Sequence, residues 1–488
     1  MGAFKNIIIG SGYGGAITAL RLTENGHEAL LLEMGMKWEL TDKHDTFCKM
    51  IKPDKRSSWL TNWPNSPITI PFPIKKYTGV LDKIKFDEID IFAGRAYGGG
   101  SIVNGGISLT PKRKYVETIF PEIDIDALYD KYFPLANKEL KVSRIPEDFY
   151  NETPYYQYTR KADEQAQTAG LKSEFFSNTY DFDYMQREAK GEVYKSALDG
   201  EVIFGNNAGK FSLDKTYLKK AEETGLLTVK TLRHVKRITL NQAGLFVLKV
   251  HKIDTDGSVL KEETYTCEKL FLNAGSVGTS ELLVKAKNEG DLPNLNEEIG
   301  KYWGPNGNIM TGRNFVDAAG TKQSTIPVKG IDMWEGYDYK IFAELAPLPL
   351  GIETWTTLYL SISDNPERAE FYYDKDTKEV KLSWKKEQNE YSRKAAELFV
   401  NRLNEAAGGT RARLLFNNGY GDDFCYHPLG GCALGKATDW FGRVKGYKNL
   451  YVNDGSLIPG SAGVNPFVFI SGIAERNMDE ILQADFDK

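Results

Sequence analysis

The chain has 488 residues, of which 41% are hydrophobic and 26% charged, and its net charge is -5. That composition excludes a disordered or collagen-like chain, and the small acidic excess supplies no broad basic field for nucleic acid. There is no run of about 18 apolar residues, so no membrane-spanning helix is expected. Four cysteines in so long a chain do not make a disulfide framework.

At roughly 150 residues per domain, the length suggests about three units or one large discontinuous pair. Strand-like sequence begins at Lys5, which leaves no room for a signal segment, so none is expected in this chain. Residues 6–9 are a short apolar run of the kind a buried parallel strand needs. Gly10-Ser11-Gly12-Tyr13-Gly14-Gly15 follows, and Ala16, Ala19 and Leu20 then mark a helical stripe that Asn25-Gly26 ends. Residues 28–33 read as a second apolar strand closing on Glu33. A polar, Pro-rich stretch over 52–76 reads as an excursion or lid, and glycines cluster again over 94–106. Helical patterns cover 124–136 and 160–169, and residues 270–283 repeat the order strand, glycine turn, helix.

From 304 to about 415 the pattern turns alternating and strand-rich, as over 356–362, and residues 450–482 return to strand, glycine loop and helix. The order predicts an α/β protein. A Rossmann-type nucleotide-binding domain is expected from residues 1–303 and 431–488, with excursions near 40–90 and 145–205. A β-sheet-rich substrate-binding domain is expected over 304–430.

Gly10, Gly12 and Gly15 form G-x-G-x-x-G between a strand and a helix, with Tyr13 and Gly14 inside the motif. Gly10 permits the tight turn, Gly12 the approach of backbone to a pyrophosphate, and Gly15 close packing of helix on strand. The helix N-terminus offers free N–H groups and partial positive charge to phosphates. Glu33, at the end of the next strand, can accept hydrogen bonds from a ribose diol, and its charge argues against a 2′-phosphate. The competing reading is a glycine turn without a ligand. The motif alone does not choose between NAD and FAD.

Further segments resemble the glucose-methanol-choline (GMC) flavoenzymes. Gly94-Arg95-Ala96-Tyr97-Gly98-Gly99-Gly100-Ser101-Ile102-Val103-Asn104-Gly105-Gly106 is similar to the first signature of that family, and Asn273-Ala274-Gly275-Ser276-Val277-Gly278-Thr279-Ser280 to the second. Tyr426-His427-Pro428-Leu429-Gly430-Gly431-Cys432, with Asp454-Gly455-Ser456 and Gly463-Val464-Asn465-Pro466-Phe467 after it, resembles the bacterial cholesterol oxidases that bind FAD without a covalent link. Trp303-Gly304-Pro305-Asn306-Gly307-Asn308 extends the likeness, which covers essentially the whole chain.

The resemblance implies FAD, an alcohol substrate such as a 3β-hydroxysteroid, and dioxygen reduced to hydrogen peroxide. It also implies a Δ5-to-Δ4 shift of the steroid double bond. It implies that a glutamate, a histidine and an asparagine face flavin and substrate, and Glu353, His427 and Asn465 are matched to them. Flavin contacts are expected from Gly100, Asn104 and Ile107, and adenine contacts from the backbone at Val235. Gly455 is expected near the ribityl-phosphate region. The covalent branch of the family attaches its flavin through a histidine near the first signature. Residues 94–110 contain none, so the FAD is expected to dissociate. Two departures leave the substrate open. Ile107 stands where the family has methionine, and residues 62–76 look shorter than the family's steroid-covering loop.

The residues also carry a chemical reading of their own. Flavin oxidation of an alcohol needs an acceptor for the hydroxyl proton and a group that steadies charge on the reduced ring. Of five histidines only His427 lies beside a glycine-rich loop, where it can hold the hydroxyl; the alternative is a structural histidine. Cys425, His427 and Cys432 fit no common zinc spacing, so no metal is expected. Asn465 is expected to cap a helix with Pro466 at its first position and Phe467 donating its N–H, so that the helix end faces the flavin; the alternative is an ordinary capped helix. Alternation places Glu353 on one strand face with Trp355, Thr357 and Tyr359. There, partial desolvation would suit it to proton transfer; the alternative is a solvated strand-end glutamate.

Three function readings remain open: a steroid oxidase, an oxidase or dehydrogenase of another bulky alcohol, and a carrier that binds FAD and a lipid without turnover. Residues 67–74 form an apolar, Pro-broken stretch that either touches a membrane surface transiently or walls the pocket.

Overall fold

The computed structural model describes residues 2–67, 72–416 and 419–486. The apolar, Pro-broken stretch 67–74 falls partly outside them, at residues 68–71.

The first strand, Gly2–Ile9, alternates at its start and is fully buried over its last four residues. There it lies between Ala29–Leu32 and the long strand Val259–Leu272, parallel to both. The sheet runs in the order Leu227–Lys230, Ala29–Leu32, Gly2–Ile9, Val259–Leu272, Phe246–Ile253, Arg233–Leu240. The late strand Leu450–Val452 adds in parallel to the end of Val259–Leu272, so the C-terminal part of the chain closes on the first unit. Continuous apolar runs suit these central strands because both faces are covered.

Two helices share one face of this sheet. Tyr13–Glu24 follows the glycine turn, and Phe467–Ala484 packs beside it. A buried network ties them together. Arg21 donates from Nε and Nη2 to the two oxygens of Glu475 at 2.6 and 2.7 Å, and Tyr217 donates its hydroxyl to the same carboxylate at 2.5 Å. Glu475 is buried. A paired, hydrogen-bonded carboxylate is tolerable in such a place, whereas an unpaired arginine is costly.

The second sheet is antiparallel, in the order Thr410–Arg411, Asn308–Asn314, Thr356–Ser363, Ile341–Ala346, Lys329–Met333, Ser173–Phe175. Alternation divides its side chains. Ile309, Ile331, Ile341, Ala343, Leu345 and Tyr359 pack on the helix Glu390–Ala407 through Phe399, Val400 and Leu403. Met310, Glu344, Ala346, Leu358 and Leu360 point the other way, into the cavity described below. The edge strand Ser173–Phe175 comes from the stretch that sequence patterning treats as an excursion from the first unit.

The helix expected over 124–136 is present in three joined pieces: Ile125–Ala127, a π-turn at Leu128–Tyr132, and Phe133–Glu139. Pro134 explains the break in pattern. It has no N–H for the ordinary i→i−4 bond, and the ladder widens just before it. Among the described residues no helix is long and apolar enough to cross a membrane.

Removing the shared carboxylate at the helix pair leaves the half-buried Arg21 guanidinium with Glu24 alone and the buried Tyr217 hydroxyl without its acceptor. Glu475→Ala is therefore expected to lower stability by about 3 kcal/mol, read from the urea midpoint. Arg21→Met with Glu475→Leu, which removes both charges, is expected to recover most of that loss.

Candidate active site

A cavity of about 1070 Å³ runs from the glycine turn of the first sheet to the cavity face of the second. At its nucleotide end the glycines divide into two kinds. Gly10 has φ +92°, and a Cβ there would meet the Asn273 carbonyl at 2.2 Å. A Cβ on Gly14 would lie 1.7 Å from the Asn453 carbonyl, and one on Gly15 2.0 Å from the Gly10 carbonyl. These three let backbone pack on backbone. Gly12 and Gly100 have nothing within 4 Å of the same position, and both line the cavity. They are open on the side where a ligand would come.

Gly12 also stands at the start of the helix Tyr13–Glu24, and no side chain caps that end. Its first N–H groups have no partner in the helix and face the cavity with the positive end of the dipole. Glu33 is buried. Its Oε2 accepts from the Ser11 N–H at 3.0 Å and the Ser11 hydroxyl at 2.6 Å, and its Oε1 from the Gly35 N–H at 2.7 Å. Burial pushes its carboxyl upward, opposed by those hydrogen bonds and by Arg95. Val235 lies on the outermost strand of its sheet, with a register slip beside it at Lys249/Val250, and it borders the cavity.

The second glycine loop meets the first. A Cβ on Gly99 would lie 2.8 Å from the Gly12 Cα. From this loop Asn104 donates its Nδ2 to the Tyr13 phenol oxygen at 2.8 Å and accepts from the Gly106 N–H at 3.1 Å. Tyr13 in turn stacks on Phe467, with centroids 5.0 Å apart and planes within 9°. Loop, first helix and last helix are thus tied together where they reach the cavity, and Ile107 is buried beside them. Asp454 is buried too. It accepts from the Gly275 N–H, the Thr279 hydroxyl and both donors of Ser456, which places Gly455 on the cavity wall.

At the other end His427 and Asn465 come together. Asn308 orients the imidazole: its Oδ1 accepts from the Tyr426 N–H at 3.1 Å, so its Nδ2 is the atom facing His427 Nδ1, at 3.0 Å. Nδ1 is therefore the acceptor, and Nε2 carries the hydrogen. Burial pushes the imidazole down to about 4. Asn465 does not cap the last helix. Pro466 occupies the cap position, without a side-chain bond, and the Asn465 Oδ1 is buried with no partner. Its side chain turns into the cavity instead.

Glu353 is not with them. It lies in the loop before Thr356–Ser363, where its carboxylate accepts from the N–H groups of Gly320 at 2.6 Å and Thr354 at 3.1 Å. The alternation expected from Glu353 fails because the strand starts at Thr356. Trp355 is 53% exposed, and Tyr359 faces the helix side of the sheet.

The glutamate beside Asn465 at this end of the cavity is Glu344, in the middle of Ile341–Ala346. It is buried, its Oε1 has no partner, and it lies within hydrogen-bonding reach of Asn465. Burial pushes its carboxyl up to about 8. The signal for it in the sequence is one acid inside an otherwise apolar strand, Ile341-Phe342-Ala343-Glu344-Leu345-Ala346. Asn308 is a second residue missed for its role, although it sits in the quoted Trp303–Asn308 motif.

The residues present fit a dinucleotide cofactor: two open glycines, an uncapped helix start, and buried polar atoms without partners on Asn273, Asn465 and Glu344.

Comparison with known proteins agrees. Family models described as GMC oxidoreductase match residues 14–287 and 374–474, and one described as GMC oxidoreductase, C-terminal, matches residues 306–417. A cholesterol oxidase of Acinetobacter baumannii is 26% identical, over 98% of this chain and 94% of its own. A cholesterol oxidase of Mycobacterium tuberculosis (strain CDC 1551 / Oshkosh) is 24% identical, over 96% and 89%. Among solved structures, a pyridoxine 4-oxidase from Mesorbium loti has a TM-score of 0.64 at 15% identity, covering 98% of this chain and 99% of that one. A fungal aryl-alcohol oxidase has a TM-score of 0.69 at 12% identity, covering 99% of both. These two likenesses concern the fold.

The two kinds of glycine separate packing from ligand contact. Gly12→Ala is expected to leave the thermal midpoint of the cofactor-free protein within about 2 °C while weakening FAD uptake at least about tenfold, by flavin fluorescence quenching. Gly14→Ala is expected to lower the midpoint itself, because its methyl meets backbone.

Proposed function

The chain belongs to the GMC oxidoreductase family, whose members normally bind FAD, and from that premise we propose a flavin-dependent oxidase of a bulky alcohol. The substrate is a 3β-hydroxysteroid such as cholesterol. The products are the 3-keto-4-ene steroid and hydrogen peroxide. The observation that carries this reading is the meeting of His427, Asn465 and Glu344 in one cavity whose facing wall is apolar, with Met310, Leu348, Leu358 and Leu360. The two cholesterol oxidases, similar over nearly their full length, support the choice of alcohol. Residues 94–110 hold no histidine, and on that ground the FAD is bound without a covalent link.

When bound, FAD supplies the acceptor for the carbinol hydrogen and its two electrons and passes the pair to dioxygen. The chain's residues do the rest. Asn308 keeps His427 in the tautomer that donates from Nε2, so the imidazole holds the substrate's hydroxyl oxygen and aims its carbon. The hydroxyl proton goes to Glu344 in its ionised form. After that proton has passed to solvent, the same carboxylate takes the C4 proton of the ketone and returns it at C6, which moves the double bond. A carboxyl held near 8 by burial is matched to such transfers near neutral pH. The Asn465 amide, within reach of Glu344, orients that carboxyl.

The apolar side chains Ile51 and Leu350, 58% and 42% exposed, stand at the mouth and suit a substrate poorly soluble in water. A second reading keeps the chemistry and changes the alcohol. It is favoured by Ile107, whose stiff branched side chain borders the cavity.

The test is purified protein with cholesterol and a panel of bulky alcohols. Catalase-sensitive peroxide and an enone are expected from the sterol. Glu344→Gln should slow the oxidation and leave the ketone that does form as the unshifted 5-ene, and His427→Ala should lower kcat by about 10²-fold or more. FAD-loaded protein that turns over other alcohols and no sterol would establish the second reading; turnover of none would overturn both.

The pH dependence follows with its sign. A base must be unprotonated, so the isomerisation rate should rise with pH, about tenfold per unit below 8, and level off above it. Stopped-flow enone formation from the 5-ene ketone reads this limb, which should vanish in Glu344→Gln.

A further inference from the structure

Lys210 follows Gly205-Asn206-Asn207-Ala208-Gly209 and is 2% exposed. Its Nζ donates to the carbonyl of Asn104 and, at 3.5 Å, to that of Ile102. Those carbonyls close the one-turn helix Gly100–Val103, of which Gly100 and Val103, with the following 104–107, line the cavity. The ammonium therefore sits directly behind the loop, and the loop faces the cavity in front.

Lys210 has no carboxylate at ion-pair distance among the described residues. The charged groups that bear on it are Lys215, whose Nζ donates to the Lys210 carbonyl at 2.9 Å, and Asp214. Asp214 accepts from the Ser212 hydroxyl. Burial first, and then Lys215, pull Lys210 down to about 7. An ammonium buried without a counter-charge is costly, and two carbonyls do not replace a carboxylate. The cavity wall one residue away is where a compensating charge can arrive.

Resting on the FAD reading above, we infer that Lys210 is a positioning residue for the flavin: it holds the Asn104 turn from behind and supplies positive charge that favours negative charge on the ring bound in front. Both parts are physical consequences of one contact. The hydrogen bonds fix the backbone from which Asn104 reaches Tyr13, and the charge acts across a thin, water-poor wall.

The probe is sulfite, which adds its electron pair to an oxidised flavin ring and carries negative charge onto it. Its dissociation constant is read from loss of the visible band, with concentration expressed as the dianion. Lys210→Met, loaded with FAD, is expected to bind sulfite about tenfold more weakly or worse, and Lys210→Arg within about threefold of wild type. A FAD-loaded Lys210→Met that binds sulfite within about threefold of wild type overturns the inference.

If Lys210→Met does not hold FAD, the measurement moves to a pH series in Glu344→Gln, which removes the carboxyl that titrates in the same range. There sulfite affinity should fall about tenfold or more as pH rises from about 6 to 9. It should stay level when Lys210→Arg is added, because a guanidinium keeps its proton. A level series without Lys210→Arg, or a fall that persists with it, overturns the inference. A wild-type protein that takes up no FAD overturns the flavin reading, and the inference falls with it.

Discussion

The site depends on backbone meeting backbone where three chain segments converge. Gly14 lies against the Asn453 carbonyl, Gly15 against that of Gly10, and Gly99 against Gly12. No side chain larger than hydrogen fits at these contacts. Because they are short, the first helix starts close to the strand ends of its sheet, and the loop carrying Asn104 closes over that start. The Tyr13–Phe467 stack and the Asn104–Tyr13 hydrogen bond then bring in the last helix from the far end of the chain. A cavity built from residues hundreds of positions apart is held by contacts with almost no freedom to relax.

Electrostatically, the cavity moves its titratable groups toward neutrality. Burial raises Glu344, lowers His427 and lowers Lys210. The cause is the same in each case: charge is disfavoured where water is scarce. This suits the proposed chemistry, in which an apolar molecule is held while protons move. Glu344 and His427 stay close to uncharged at rest, while Lys210, behind the wall, holds or releases its proton near neutral pH.

Local features of the sequence were readable because their causes are local. The run 6–9, the glycine motif and Glu33 lie within about 30 residues, and periodicity with turn chemistry is enough to order them. His427 and Asn465 stand in motifs that the sequence displays, and both line the one cavity. Glu353 lies off the cavity because its expected place depends on where a strand begins, and pairing with Asn308–Asn314 sets that point at Thr356. The role of Asn308 was hidden because it acts through His427, 119 positions away. Ser173–Phe175 joined the second sheet by pairing with Lys329–Met333, which no local pattern announces.

The placement of Glu344 follows from register. It pairs with Gly330 on one side and Leu360 on the other. A slip of one residue would exchange the faces of its strand. Ala343 and Leu345 would then line the cavity, and the carboxyl would enter the packed layer of Phe399, Val400 and Leu403, with no partner there. The penalty for burying an acid among those side chains, added to the loss of three apolar contacts, sets the register against that alternative. The helix Glu390–Ala407 thus helps decide which side chain reaches the cavity without touching it, since its apolar face accepts Ile341, Ala343 and Leu345 and rejects Glu344 between the last two.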